Sequence, residues 1–212
     1  MENREKNELF KRIEETFSKR EPGDIGNYKH FSVLMPLVIL NDEPHVLFEV
    51  RGNKIKRQPG EICFPGGMCE ENETYIEAAI RETCEELGIE RDSIRMINEL
   101  DRMVNVRGFT IHCYLAQLPE QIFEIMKPNE IEVQEIFTVP VKWFMENEPH
   151  VEKVGIETVI KDDFPYDMLN LDSGYKWGKG EMDVPIYNEY DGKIIWGITG
   201  RILRNFINIL KV

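Results

Sequence analysis

Arg81-Glu82-Thr83-Cys84-Glu85-Glu86-Leu87-Gly88 is the stretch that organises the chain. As a helix it gathers Glu82, Glu85 and Glu86 along one stripe, because positions i, i+3 and i+4 fall within an arc of roughly 100°. Three carboxylates packed that closely raise one another's pKa unless a cation neutralises them. Oxygen-only ligands suit a hard divalent ion such as Mg²⁺ or Mn²⁺, and Mg²⁺ commonly joins a few carboxylates to the phosphates of a substrate.

A solvated acidic face is the simpler reading of such a stripe, and the flanking residues argue against it. Ile76, Ile80, Thr83 and Leu87 project to the opposite side of the same helix, so one face is expected to be buried while the acidic one looks into a cleft. Ala78, one turn before Glu82, is expected to leave that cleft open. Asn72 or Thr74 caps the start, Thr74 with Glu77 matching a capping box, and Gly88 suits a left-handed stop. Just upstream, Phe64-Pro65-Gly66-Gly67 is a loop whose glycines let the main chain pass close to a ligand and present carbonyls to the same ion.

Gly67, five residues, Glu73, seven residues, Arg81-Glu82, then Glu85-Glu86-Leu87-Gly88-Ile89 resembles the signature of the Nudix hydrolases at every charged and glycine position. Thr83 is the one departure, where the family usually has an aliphatic residue. The resemblance implies an α/β fold, a Nudix-type α/β/α sandwich with a mixed β-sheet. It also implies cleavage, dependent on Mg²⁺ or Mn²⁺, of a diphosphate linked to another moiety. Carried over, it makes Glu82 and Glu86 the principal metal ligands, with Glu85 a further ligand or the holder of a water and the Gly66 carbonyl an extra ligand. Arg81 then orients the carboxylates by ion pairing, and Glu73 anchors loop to helix. Glu82, Glu85 and Arg81 are thus the expected catalytic group. Glu85, Glu132 and Glu135 are the alternatives for the general base.

Four of the seven residues from Arg51 to Arg57 are basic, in a chain of net charge −13. This segment runs straight into the glycine loop, where it can reach a second anionic group of a substrate. Arg51, a small residue, three residues, Lys56, three residues, Gly60, three residues and Phe64-Pro65-Gly66-Gly67 looks like the second motif of coenzyme A diphosphatases within the Nudix family. Arg51, Lys56, Arg57, Gly60 and Phe64 are the substrate-binding residues it implies. Gly52 stands where that motif has Ser or Ala, and Lys56 where it has Arg. Ile195 to Leu203 also looks like the closing helix of those enzymes. The expected reaction cuts coenzyme A or a derivative to a 4′-phosphopantetheine product and adenosine 3′,5′-bisphosphate. The alternatives are a Nudix hydrolase for ADP-ribose, NADH or dinucleoside polyphosphates, or a nucleotide-binding sensor without turnover.

With 212 residues and 42% hydrophobic content, the chain suffices for one domain, expected over residues 30–212 behind an N-terminal helical extension at 1–29. The acidic balance argues against a nucleic-acid polymer as partner. Cys63, Cys69, Cys84 and Cys113 lack paired spacing, so neither a zinc site nor a disulfide framework is indicated. No stretch reads as a secretory signal or a bilayer span, which points to a cytoplasmic protein acting on a small phosphoanhydride, with a homodimer left open. Strands are expected at Phe31 to Leu40, His45 to Arg51, Ile94 to Val106, Phe109 to Leu118, Ile131 to Val139, Val151 to Ile160 and Val184 to Tyr190. A short helix is expected through Trp143 and Phe144 and a last one from Ile195 to Leu210. Met1 to Arg20 reads as an amphipathic or frayed helix, and Lys161 to Gly180 is unassigned.

Overall fold

The apolar run from Phe31 to Leu40 becomes the central strand because both of its faces find cover. In the computed structural model, which describes residues 2–172 and 174–212, the chain runs α1 (Glu2–Phe17), β1 (Lys29–Leu40), β2 (Glu43–Arg51), β3 (Ile62–Cys63), β4 (Gly66–Met68) and α2 (Tyr75–Leu87). It continues through β5 (Arg95–Glu99), β6 (Met103–Asn105), β7 (Phe109–Gln117), α3 (Ile122–Ile125), β8 (Val133–Pro140) and α4 (Val141–Glu146). β9 (His150–Glu157), β10 (Lys179–Tyr190), β11 (Lys193–Trp196) and α5 (Gly197–Leu210) complete it. Asn41 and Asp42, both at positive φ, make the two-residue turn between β1 and β2, the geometry that matches the twist of a tight hairpin.

β1 pairs in parallel with β7 and antiparallel with β2 and β4, so the eight-stranded sheet is mixed, as expected. Alternation along β1 sends Leu34 to one face, with Ala79 and Ile80 of α2, and Met35 to the other, with Phe144 of α4 and Leu203 and Phe206 of α5. Helices therefore cover both faces. β9, β10 and β11 form a separate antiparallel sheet, on which α5 packs.

Several boundaries differ from the sequence reading, each for a local reason. The strand expected over Ile94 to Val106 is two strands, β5 and β6, each pairing with a different part of β7. Ile195 and Trp196 belong to β11, and the last helix begins only at Gly197. The unassigned segment contains a short 3₁₀ turn at Tyr166–Leu169 and an aromatic group in which Phe164 meets Trp177 edge-on at 5.3 Å, before β10 begins at Lys179. Within α2, Ile76 is exposed and Ala78 is fully buried. Both correct the expectation: the buried face of α2 centres on Ala78, Ala79, Ile80, Thr83 and Leu87, so Ala78 is core and opens no cleft. Leu9, Phe10, Ile13 and Phe17 of α1 are exposed, and Met1, the first residue of the expected helix, lies outside the described residues.

Candidate active site

The acidic helix is held at both ends by the devices read from its sequence. Thr74 and Glu77 form the capping box, and Gly88 closes the helix at φ 61°. Gly88 is needed for space as well as for angle, since a Cβ there would stand 1.9 Å from the Lys127 carbonyl oxygen. Thr83, the departure from the signature, is fully buried and satisfied, its hydroxyl donating to the Ala79 carbonyl at 2.7 Å.

Arg81 ties this helix to the loop before it. Its guanidinium donates to both oxygens of Glu73, at 3.1 and 2.8 Å, to Glu82 at 2.8 Å, to Glu85 at 3.4 Å and to the Met68 carbonyl at 3.3 Å. Glu73 also accepts from the Glu70 N–H at 2.6 Å, so it joins loop to helix. Arg81 lowers the Glu73 pKa, chiefly by these hydrogen bonds. Glu82 is displaced upward, because burial outweighs its bond to Arg81, and Glu85 and Glu132 add to the shift.

Glu86 turns inward. It is buried, accepts from the Gly66 N–H at 2.7 Å, and is pushed up to about 9 by burial and then by the nearby charge of Glu49, with Glu82 adding to it. Glu49 on β2 is fully buried and pushed up to about 7, first by burial, while Cys63 and Arg51 oppose the shift. The Cys63 thiol donates to Glu49 Oε1 at 3.1 Å, and Glu49 Oε2 has no hydrogen-bond partner. The sequence reading missed Glu49. Its signal was a lone carboxylate inside Val46-Leu47-Phe48-Glu49-Val50, an otherwise apolar strand.

The residues expected to bind substrate divide. Lys56 and Arg57 are exposed on the loop between β2 and β3, and Gly60 turns that loop at φ 73°. Arg51 is partly buried and points back, its Nε donating to the Arg57 carbonyl at 3.3 Å and its Nη1 lying 3.9 Å from Cys63 Sγ. Phe64 is buried and stacks on Phe48 with ring centroids 5.1 Å apart, so its ring packs in the core. Of the candidate bases downstream, Glu132 is close enough to influence Glu49 and Glu82, whereas Glu135 is drawn off to Lys193 at 2.6 Å.

Among the described residues, no three His, Cys, Asp or Glu side chains converge as a ready-made metal cluster. Arg81 holds Glu82 and Glu85, and the Gly66 N–H holds Glu86. The donor chemistry nevertheless fits a hard cation. Glu82, Glu86 and Glu49 are all pushed up, first by burial and then by neighbouring carboxylates, and one buried carboxylate oxygen is left without a partner. Two surface hollows, of about 500 and 390 Å³, are lined by none of these carboxylates.

Comparison with known proteins bears on the family and the fold. The sequence profile described as the NUDIX domain matches residues 30–157. Nudix hydrolase 3 of Caenorhabditis elegans is 29% identical over 184 residues, 85% of this chain and 72% of that protein. The peroxisomal coenzyme A diphosphatase of Mus musculus is 33% identical over 156 residues, 66% of this chain and 62% of that protein. A MutT/nudix family protein from Enterococcus faecalis has a similar fold, with a TM-score of 0.52 at 16% identity, covering 94% of this chain and 69% of the other.

Proposed function

We infer from one premise, that this chain belongs to the NUDIX domain family, that it hydrolyses the diphosphate bond of coenzyme A or a close derivative, releasing a 4′-phosphopantetheine product and adenosine 3′,5′-bisphosphate. The observation that carries the reading is the placement of exposed Lys56 and Arg57 on the loop that leads, through β3, to Gly66 at the start of β4, whose N–H binds Glu86. A substrate with a second anionic group beyond the diphosphate suits that arrangement. The likeness to a coenzyme A diphosphatase supports the same choice, although this chain spans only 62% of that relative's length.

Nudix hydrolases generally use divalent metals, and we assign Mg²⁺ or Mn²⁺ to Glu82, Glu85, Glu86 and the Gly66 carbonyl. When bound, the cation supplies charge neutralisation at the diphosphate and lowers the pKa of the attacking water. Arg81 restrains the rotamers of Glu82 and Glu85 through the bonds described above. Glu85, the most exposed of the three with 56% of its side chain open, is the helix carboxylate with freest access to a water, and Glu132 is the alternative base. Lys56 and Arg57 hold the distal phosphate. Four free thiols are compatible with a reducing compartment, and we keep the cytoplasm as the proposed location. No helix among the described residues is long and apolar enough to cross a membrane.

The test is product analysis of the purified chain with Mg²⁺ or Mn²⁺ on coenzyme A, dephospho-coenzyme A, ADP-ribose, NADH and dinucleoside polyphosphates. Preferential cleavage of coenzyme A over its dephospho form is expected. A preference for ADP-ribose, or indifference to the 3′-phosphate, overturns the assignment.

A further inference from the structure

Glu49 stands apart from the residues of the signature. It lies on a strand, 33 positions before Glu82 in sequence, yet the pleat of β2 directs it beneath the acidic helix. Leu47, two residues earlier and on the same face, shares a buried cluster with Leu87 and Ile89, whereas Phe48 between them faces the opposite core with Phe64 and Phe144. Across the sheet Glu49 pairs with Cys63, three residues before Gly66, which opens β4 and whose N–H binds Glu86.

Its chemistry there is incomplete. Oε1 accepts from the Cys63 thiol at 3.1 Å, but Oε2 is buried with no partner, and no ion pair among the described residues reaches either Glu49 or Glu86. The guanidinium of Arg51, whose charge opposes the shifts of Glu49 and Glu86, is committed to the Arg57 carbonyl and Cys63 Sγ. A buried carboxylate with a free oxygen is destabilising unless something neutralises it.

We propose that Glu49 is a further cation-binding carboxylate of this site, presenting Oε2 from beneath the helix to the divalent ion that Glu82 and Glu86 approach from above. The inference rests on the reading of those two residues as metal ligands. It extends the acidic set from the helix to the strand, and gives the orphaned oxygen a partner.

The experiment is Mn²⁺ binding to the full-length chain, followed by electron paramagnetic resonance, for wild type, Glu49→Gln and Glu49→Asp. Glutamine keeps the acceptor for the Cys63 thiol while removing the charge, so the metal-free Glu49→Gln protein should unfold at a temperature no lower than wild type. Its Mn²⁺ affinity should fall about 10- to 100-fold, with a smaller metal-induced rise in Tm, and Glu49→Asp should fall between the two. A folded Glu49→Gln protein that binds Mn²⁺ like wild type overturns the proposal and means that a proton neutralises Glu49. If Glu49→Gln does not fold, anomalous scattering from wild-type crystals grown with Mn²⁺ decides. A peak within about 2.5 Å of Glu49 Oε2 is expected, and a peak bound by the helix carboxylates but out of reach of Glu49 overturns it. Wild-type protein that binds no Mn²⁺ at all sinks the underlying reading of Glu82 and Glu86 as well.

Discussion

Gly67 lies so close to Glu82 that a Cβ on it would stand 2.3 Å from the Glu82 carboxyl carbon. The obstructing atoms are the end of a flexible side chain, which moves aside at little cost to folding but carries a proposed metal ligand with it. Gly67→Ala should therefore keep Tm within a few degrees of wild type while lowering kcat by about 10²-fold, the scale of a misplacement of about 1 Å in a reacting assembly. Parallel thermal unfolding and steady-state kinetics check this. Equal losses in both would show that Gly67 serves the fold rather than the Glu82 carboxylate.

Glu86→Gln separates charge from shape in the same cluster. The amide oxygen can still accept from the Gly66 N–H, so the loop stays tied to α2. Burial and the neighbouring carboxylates push Glu86 up to about 9, so in the metal-free protein it is already largely neutral and the neutral amide costs little there. Folding should be retained, whereas turnover should fall by about 10²- to 10³-fold, the scale for losing one preorganised electrostatic group. A Glu86→Gln protein with near-normal kcat would remove Glu86 from the ligand set.

How much of this was legible in the sequence depends on whether the signal was local. The capping box at Thr74 and Glu77, the left-handed stop at Gly88 and the stripe of Glu82, Glu85 and Glu86 are set by residues within a few positions of one another, and helical periodicity exposes them. The inward turn of Glu86 and the burial of Glu49 depend on Gly66 and Cys63, which only sheet pairing brings near. The packing of Phe64 was hidden for the same reason. Beside the glycine turn it reads as a loop residue, but pairing of β3 with β2 brings its ring against Phe48. Ile76 misled because helical period alone does not say how far a neighbouring strand extends beneath a helix.

Acid should destabilise the protein through His112. This side chain is buried, stacked on Tyr75 with centroids 3.5 Å apart and 3.1 Å from His30 Nδ1. Burial, then the charges of His30 and Arg102, push it down to about 4 against the opposing pull of Asp24. The folded pKa lies below the unfolded value of about 6.5, so the unfolded chain takes up the proton first. Stability is full above about 6.5, falls as pH drops towards 4 by up to about 3 kcal/mol, and levels off below that for this group. His112→Phe keeps a ring against Tyr75 and removes the titration. Urea midpoints from pH 7 to 4 should therefore fall less steeply in His112→Phe than in wild type, and parallel slopes would refute the assignment.

Gly52 occupies a position where the motif it resembles has Ser or Ala, and the fold explains why this chain differs. Its N–H donates to the Glu132 carbonyl at 2.7 Å, and a Cβ there would stand 2.1 Å from the Ile131 carbonyl oxygen. The obstacle is backbone, which cannot swing aside as a carboxylate can. Gly52→Ala, although it restores the motif, should cost about 1–3 kcal/mol, the usual scale of overpacking, read as a lower urea midpoint with an unchanged m-value. The strain falls on the segment that carries Glu132, whose charge influences Glu49 and Glu82, so kcat should fall along with stability. A Gly52→Ala protein as stable as wild type would mean that residues 131 and 132 yield freely, and would weaken the case for Glu132 as a positioned base.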